Sequence, residues 1–424
     1  MTHPISKLAG AVSLIALIAA PAVADDEKPR KQWTDDAVID QVNLGDTWSN
    51  LDVKVKRVDE AVIGVNTAVS NSITAHREYE DLRINGTQKA GEVSASTYTD
   101  VHHAPYISTT TTAQGNSAVT ETYAGRNVSR YRQEAVGDVS AMTATSVGTV
   151  DSIASTTSAA GNVISSTAEG ELVRQSFVQK SDADVSARNM ASIDANSYDA
   201  TFVTTAASNS VAADAWGGDV IVRGGIQHAR AGTRVDAESD VFIGDATNVT
   251  NATAASGNSL SATAYGGVAD VGRQANPVRQ SNGANVQSRS NTLVNELTGF
   301  ANTTSLGVGN SASVYSVGDG DATAWLDQSN SGGVVASSTF DSSLGGGYVI
   351  TDATAAGNSA HVSSVGPIGT TGHVTAGINQ YNTGTVRANS STWTSTAGAV
   401  VGTATAVGNS ATVSSTQQGS QRDW

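Results

Sequence analysis

No cysteine occurs among the 424 residues, which removes disulfides, thiolate metal sites, a cysteine nucleophile and a lipid on a mature N-terminal cysteine. Aromatic residues make up only 5% of the chain and charged residues 15%. Alanine, serine, threonine, glycine and valine dominate instead. Side chains this small bury little apolar area, at roughly 25 cal/mol per Å². Conventional domains with thick cores are therefore not expected, and backbone hydrogen bonding must carry more of the fold. Basic residues are the scarcer sign, 24 against 39 acidic, for a net charge of -15. With no compensating basic block, nucleic acid is not an expected partner, and an acidic polymer would have to be held by neutral hydrogen-bonding groups.

The apolar run from Leu8 to Ala20 follows Lys7 and precedes Ala22-Val23-Ala24 and two acids. It falls short of the ~20 residues that a membrane span requires. The pattern reads as an export signal over residues 1–24, cut between Ala24 and Asp25. Residues 25–40, "DDEKPRKQWTDDAVID", read as a flexible charged mature N-terminus or as a segment recognised by an export gate. Residues 418–424 read as a short C-terminal tail.

What fills the chain between them is repetition. One phrase recurs around Asn71, Asn116, Asn162, Asn209, Asn258, Asn310, Asn358 and Asn409, at successive spacings of 45, 46, 47, 49, 52, 48 and 51. Glycine or serine always precedes the asparagine, and serine follows it in every copy except at Val163. A second series, Gln41, Gln88, Gln133, Gln179, Gln227, Gln280, Gln328 and Gln380, runs out of phase, each glutamine 28 to 31 residues before the next marker asparagine. Eight repeats of about 48 residues thus cover 41–417.

Within a repeat the pattern has period two: the residue two after each marker asparagine is always apolar, as at Ile73, Ile164 and Leu260. Valine- and threonine-rich phrases broken by glycine, such as "VSAST" from Val93, read as strands. Helical candidates are confined to Val53 to Leu82, where charge is denser. The fold class expected is all-β, an elongated β-solenoid of eight repeats with roughly two coils per repeat. Sixteen coils at the ~4.8 Å strand spacing would form a rod on the order of 75 Å long. Equivalent residues then lie above one another, so the asparagines and glutamines form two hydrogen-bonded ladders that satisfy buried amides. Glycine or serine before asparagine suits a tight corner, where asparagine itself tolerates positive φ. The glutamine due 17 to 22 residues after Asn409 does not arrive before Trp424, which makes the last repeat look incomplete and a place for a cap or docking edge.

Enzymatic motifs fail on spacing. The seven histidines show no metal-ligand spacing, and His102-His103 reads as a solvated loop. No serine sits in a nucleophile elbow and no glycine loop leads to Lys-Ser or Lys-Thr. "VGDGDATAW", with Asp319 and Asp321, resembles one calcium-binding turn, which calcium-binding solenoids repeat many times. No cofactor and no catalytic residue is expected. Trp216, Trp325 and Trp393 are candidate stacking platforms for sugars, at different phases of the repeat.

The export signal, the run "QGNSAVTE", "SGNSLSAT", "VGNSASVY", "AGNSAHVS" and "VGNSATVS", and the intervening "RQ", "DQSN" and "NQYN" phrases together resemble the holdfast attachment proteins of stalked aquatic bacteria. The resemblance covers essentially the whole chain. It implies an outer-membrane surface protein that fastens an adhesive polysaccharide to the cell pole, together with a curli-like second anchor protein and a curli-secretion-like lipoprotein. Curli subunits look like a related solution at about half this repeat length, and trimeric adhesin heads use similar phrases at a shorter period. A non-enzymatic anchor that sums many weak glycan contacts and self-associates is the leading expectation. An outer-membrane β-barrel, faintly suggested by terminal Trp424, and a glycan-cleaving β-helix are the alternatives.

Overall fold

β-Branched residues stiffen the backbone into extended form and pack well on a pleated surface. The computed structural model describes residues 37–318, 320–367 and 371–417, and every regular element among them is a strand. The stretch read above as helical holds β2 (Thr47–Arg57) and β3 (Ala61–Glu78). There Val62, Gly64, Asn66 and Ala68 are buried and alternate with exposed Ile63, Val65 and Thr67, a period of two that no helix satisfies. Four residues assigned to the flexible N-terminus, 37–40, open β1 (Ala37–Asn43).

Each repeat contributes a short strand bearing the marker glutamine and a long stretch bearing the marker asparagine. The short strands are β1, β4 (Leu82–Ala90), β6 (Asn127–Ala135), β8 (Leu172–Ser181), β16 (Ala322–Asn330) and β19 (Val374–Asn382). Two more are split, into β10 (Asp219–Val222) and β11 (Ile226–Ala229), and into β13 (Ala269–Val271) and β14 (Val278–Asn282). The long stretches are β2 with β3, then β5 (Val93–Tyr123), β7 (Val139–Glu169), β9 (Val185–Trp216), β12 (Arg234–Tyr265) and β15 (Asn285–Val317). The last two are divided, as β17 (Val334–Gly345) with β18 (Tyr348–Gly366) and β20 (Val386–Thr394) with β21 (Ala399–Gln417). Short strands pair with short strands in one sheet and long with long in another, every ladder parallel.

The register corrects the expected coil count. Gln41 pairs with Gln88 and Asn71 with Asn116, so a residue's hydrogen-bonded neighbour lies a whole repeat away. The chain therefore climbs one strand spacing per repeat, not two, and seven spacings give a rise of about 34 Å. Because each turn starts on its glutamine strand, the stretch from β19 through β21 is a full turn, and the last repeat is not cut short. The parallel pairing also disagrees with the barrel alternative, since bacterial outer-membrane barrels are closed antiparallel sheets.

The long stretch folds back on itself. Thr111 Oγ1 donates to Thr97 Oγ1 at 2.7 Å and Thr157 Oγ1 to Thr143 Oγ1 at 2.7 Å, each pair 14 residues apart. An outward leg such as 93–101 thus faces a return leg, 107–123, through side chains, with the alternation broken at His102 to Tyr106. The glutamine strand faces the far half of the same return leg. Three apolar clusters fill this two-layered section: Ile84, Tyr131 and Leu260 beside the glutamine strands, Ala95, Ala113 and Val139 at the middle, and Val101, Ile107 and Phe202 at the fold-back.

Asp214 is half-buried on β9, and burial pushes its carboxyl above the usual range against the pull of its Thr263 hydrogen bond. A raised carboxyl pKa destabilises the fold when the group is ionised, and the penalty fades as pH falls through the raised value. Asp214→Asn is expected to raise the unfolding midpoint at pH 7. The gain should vanish below the ordinary aspartate pKa of about 4, a difference that thermal melts across pH will read.

Candidate functional site

The parallel register sets all eight marker asparagines in one column. Asn71 Nδ2 donates to Asn116 Oδ1, and the bond repeats through Asn162, Asn209, Asn258, Asn310 and Asn358 to Asn409 at 2.7 to 2.9 Å. Asn116 to Asn358 are fully buried. The second amide hydrogen crosses between layers: Asn71 reaches the carbonyl of Lys89 at 2.8 Å, Asn116 that of Glu134 at 2.9 Å, and Asn162 that of Lys180 at 2.7 Å.

The glutamines make a parallel column of opposite sense. Gln88 Nε2 donates back to Gln41 Oε1 at 2.9 Å, and the direction holds through Gln133, Gln179, Gln227, Gln280 and Gln328 to Gln380. Each glutamine also crosses to the carbonyl of the residue after the marker asparagine of its own turn, as Gln88 to Ser117 and Gln133 to Val163, both at 2.9 Å. A backbone carbonyl serves whatever side chain it carries, which is why Val163 can replace serine there. One column thus points its donors along the chain and the other against it. Amide chains polarise along their length, and opposed chains cancel each other's dipole.

Glycine precedes most marker asparagines for want of space, not for its φ. Tyr79 and Ala124 are the described non-glycine residues with positive φ, so no marker asparagine has one, and neither do the glycines before them. A Cβ on Gly115 would lie 2.5 Å from the Gly161 carbonyl oxygen, and one on Gly309 would lie 2.4 Å from that of Gly357. The serines that replace glycine, Ser70 and Ser208, hold buried hydroxyls without a partner among the described residues. A third, shorter ladder escaped the repeat reading: Asn282 donates to Asn330 and Asn330 to Asn382, each at 2.7 Å. Its signal was present as asparagine two after the glutamine, in "RQSN", "DQSN" and "NQYN".

At the two ends the columns stop with groups unpaired among the described residues. The first turn leaves Asn71 Oδ1 without a donor and one amide hydrogen of Gln41 unused; the last leaves Gln380 Oε1 without a donor, and Asn409 gives only a long 3.4 Å bond to the Gln380 carbonyl. The last turn is also uncovered: Val362 is 0% exposed, whereas its neighbour Val413 is 53% exposed.

The three tryptophans are not brought together. Trp216 ends β9 and stacks on Tyr265 with ring centroids 4.1 Å apart and planes 15° from parallel. Trp325 lies over Gly377, its partner in the next turn, where a Cβ would meet the indole at 2.2 Å. Trp393 stands exposed on β20, in one row with Phe242 and Leu293. Tyr98, Met190, Phe242 and Leu293 line a groove of about 550 Å³ that no motif announced. His103 Nδ1 lies 2.7 Å from Thr149 Oγ1, on a strand and not in a loop. No cluster of three metal-ligating residues occurs among the described residues. Ala24, Asp25, Asp319, Trp424 and the tail 418–424 lie outside the described residues.

A family model described as holdfast attachment protein D matches residues 56–333 and 272–423. No curated protein and no solved structure gives a significant match to the chain.

Proposed function

Because the chain belongs to the holdfast attachment protein D family, we propose that it is a non-enzymatic cell-surface anchor that fastens the adhesive holdfast polysaccharide to the outer membrane. The family match carries the attachment role. The two locked amide columns support the anchoring part of it: an eight-turn β-solenoid tied across its section at every turn resists being pulled apart along its strands. Outward rows of serine, threonine and asparagine offer the glycan many weak contacts, whose sum gives avidity without a single deep site.

The open ends favour self-association. The unused Asn409 hydrogen and Gln380 Oε1 of one copy complement Asn71 Oδ1 and the Gln41 hydrogen of the next, and unpaired parallel strands template further strands. Stacking would extend both columns without a break. The chain reaches this place by export, and works there beside a curli-like second anchor protein and a curli-secretion-like lipoprotein. Cells that lack the chain should release their holdfast into the medium and recover it on re-expression. Unchanged retention by such cells would contradict the anchor role.

A further inference from the structure

The sequence holds no basic block, yet the fold builds one. Outward positions of β4, β6 and β8 carry Arg83, Lys89, Arg130, Arg132, Arg174 and Lys180 against a single acid, Glu134, which pairs with Lys89 at 3.4 Å. The register sets them on three successive turns: Arg130 stands between Asn85 and Ser176 in one axial row, and Arg174 beside Val128 in the next. Asp81 pairs with Arg126 and lies 3.8 Å from Arg83, and Asp270 pairs with Arg223, so these three arginines are compensated. Arg130, Arg132 and Arg174 have no carboxylate within ion-pair distance among the described residues. Arg130 and Arg174 flank a groove of about 340 Å³ with Asn85, Ser176 and Asn276. The groove is walled where glycines 224 and 225 split the fifth glutamine strand and the 272–277 loop interrupts the sixth.

We propose that this arginine face is the binding site for an acidic glycan, its carboxylates held by Arg130 and Arg174 and its hydroxyls by Asn85, Ser176 and Asn276. The inference rests on the anchor reading and names the chemistry of its ligand. Free guanidiniums present paired donors that match a carboxylate, and turns ~4.8 Å apart repeat at about the length of a sugar ring in an extended chain. A nucleic acid fits less well. The aromatic side chains of these strands, Tyr131 and Phe177, point inward and are buried, leaving bases no stacking surface. A net charge of -15 also opposes a duplex with one charge per about 1.7 Å more strongly than a glycan with at most one charge per sugar. The face thus revises the expectation that neutral groups alone would hold an acidic polymer.

The test uses the mature chain with polygalacturonate, neutral dextran and duplex DNA as probes, beside Arg130→Gln/Arg174→Gln and a control, Arg387→Gln, on a different face. Polygalacturonate should bind, weaken as salt rises, and bind the double variant at least tenfold more weakly while the control is unchanged and melting temperatures agree. No polygalacturonate binding, equal binding by the double variant, or equal binding of dextran or DNA each overturns the proposal. Holdfast retention separates the two levels. Full retention by cells carrying the double variant sinks the arginine site and leaves the anchor role standing, whereas retention by cells lacking the whole chain sinks the anchor role itself.

Discussion

Asn162→Asp is expected to destabilise the fold by more than about 4 kcal/mol, at the diagnostic end of single substitutions. Asn162 Oδ1 accepts from Asn116, and a carboxylate oxygen can still accept there. The other side of the amide donates to Asn209 Oδ1 and to the Lys180 carbonyl. A carboxylate has no hydrogen to give, so it faces two oxygens at hydrogen-bond distance in a site with no exposure. Protonation would restore one donor, so the loss should shrink on acidification. At Asn409 the oxygen that accepts from Asn358 is likewise kept, and the donor side meets only solvent and a single long bond, so the same change should stay within about 0.5 kcal/mol of the parent. Denaturant unfolding of both variants reads the contrast. Equal effects at the two positions would mean that the column is not a continuous buried ladder.

Gly309→Val should cost about 3 kcal/mol, toward the upper end for overpacking a close-packed interior. Its first carbon would already lie 2.4 Å from the Gly357 carbonyl oxygen and 2.5 Å from Asn330 Oδ1. Neither atom is free to retreat: the carbonyl belongs to the next turn's backbone, and the amide is held in the short asparagine ladder. Gly346 is the matching control. A Cβ there meets nothing within 4 Å and its φ is not positive, so Gly346→Ala should be neutral or stabilise by up to about 1 kcal/mol through the unfolded chain. Thermal melts of the two variants decide whether space or backbone freedom selects glycine before asparagine.

The all-strand, parallel character was legible because a side-chain period of two and a repeat of fixed phase are both written in the residues. Asparagines spaced a repeat apart are also the ones the register sets in contact. The number of turns per repeat was not legible. A 48-residue unit with several glycine breaks fits two small turns as well as one flattened turn, and the choice depends on the fold-back at residues 102–106, which no turn motif marks. The stretch from 53 to 82 misled because its lysines, arginines and glutamates favour helices, while the burial of alternate residues such as Val62 and Asn66 inside the two-layered section overrides that weak preference. The arginine face was invisible for a related reason. Arg83, Arg130 and Arg174 are 47 and 44 positions apart, so no local charge run exists, and only the stacking register brings them onto adjacent strands.

Fibres or filaments of the purified mature chain give the most direct test of head-to-tail stacking with one turn per repeat. Oriented diffraction should show an axial spacing near 4.8 Å, and cryo-electron microscopy should show copies recurring every eight turns, roughly 38 Å along the axis. Substituting Asn409 and Gln380 together by leucine should abolish the filaments and leave folded monomers. Filaments recurring at roughly 75 Å per chain, or a chain that remains monomeric at every concentration, would contradict the account.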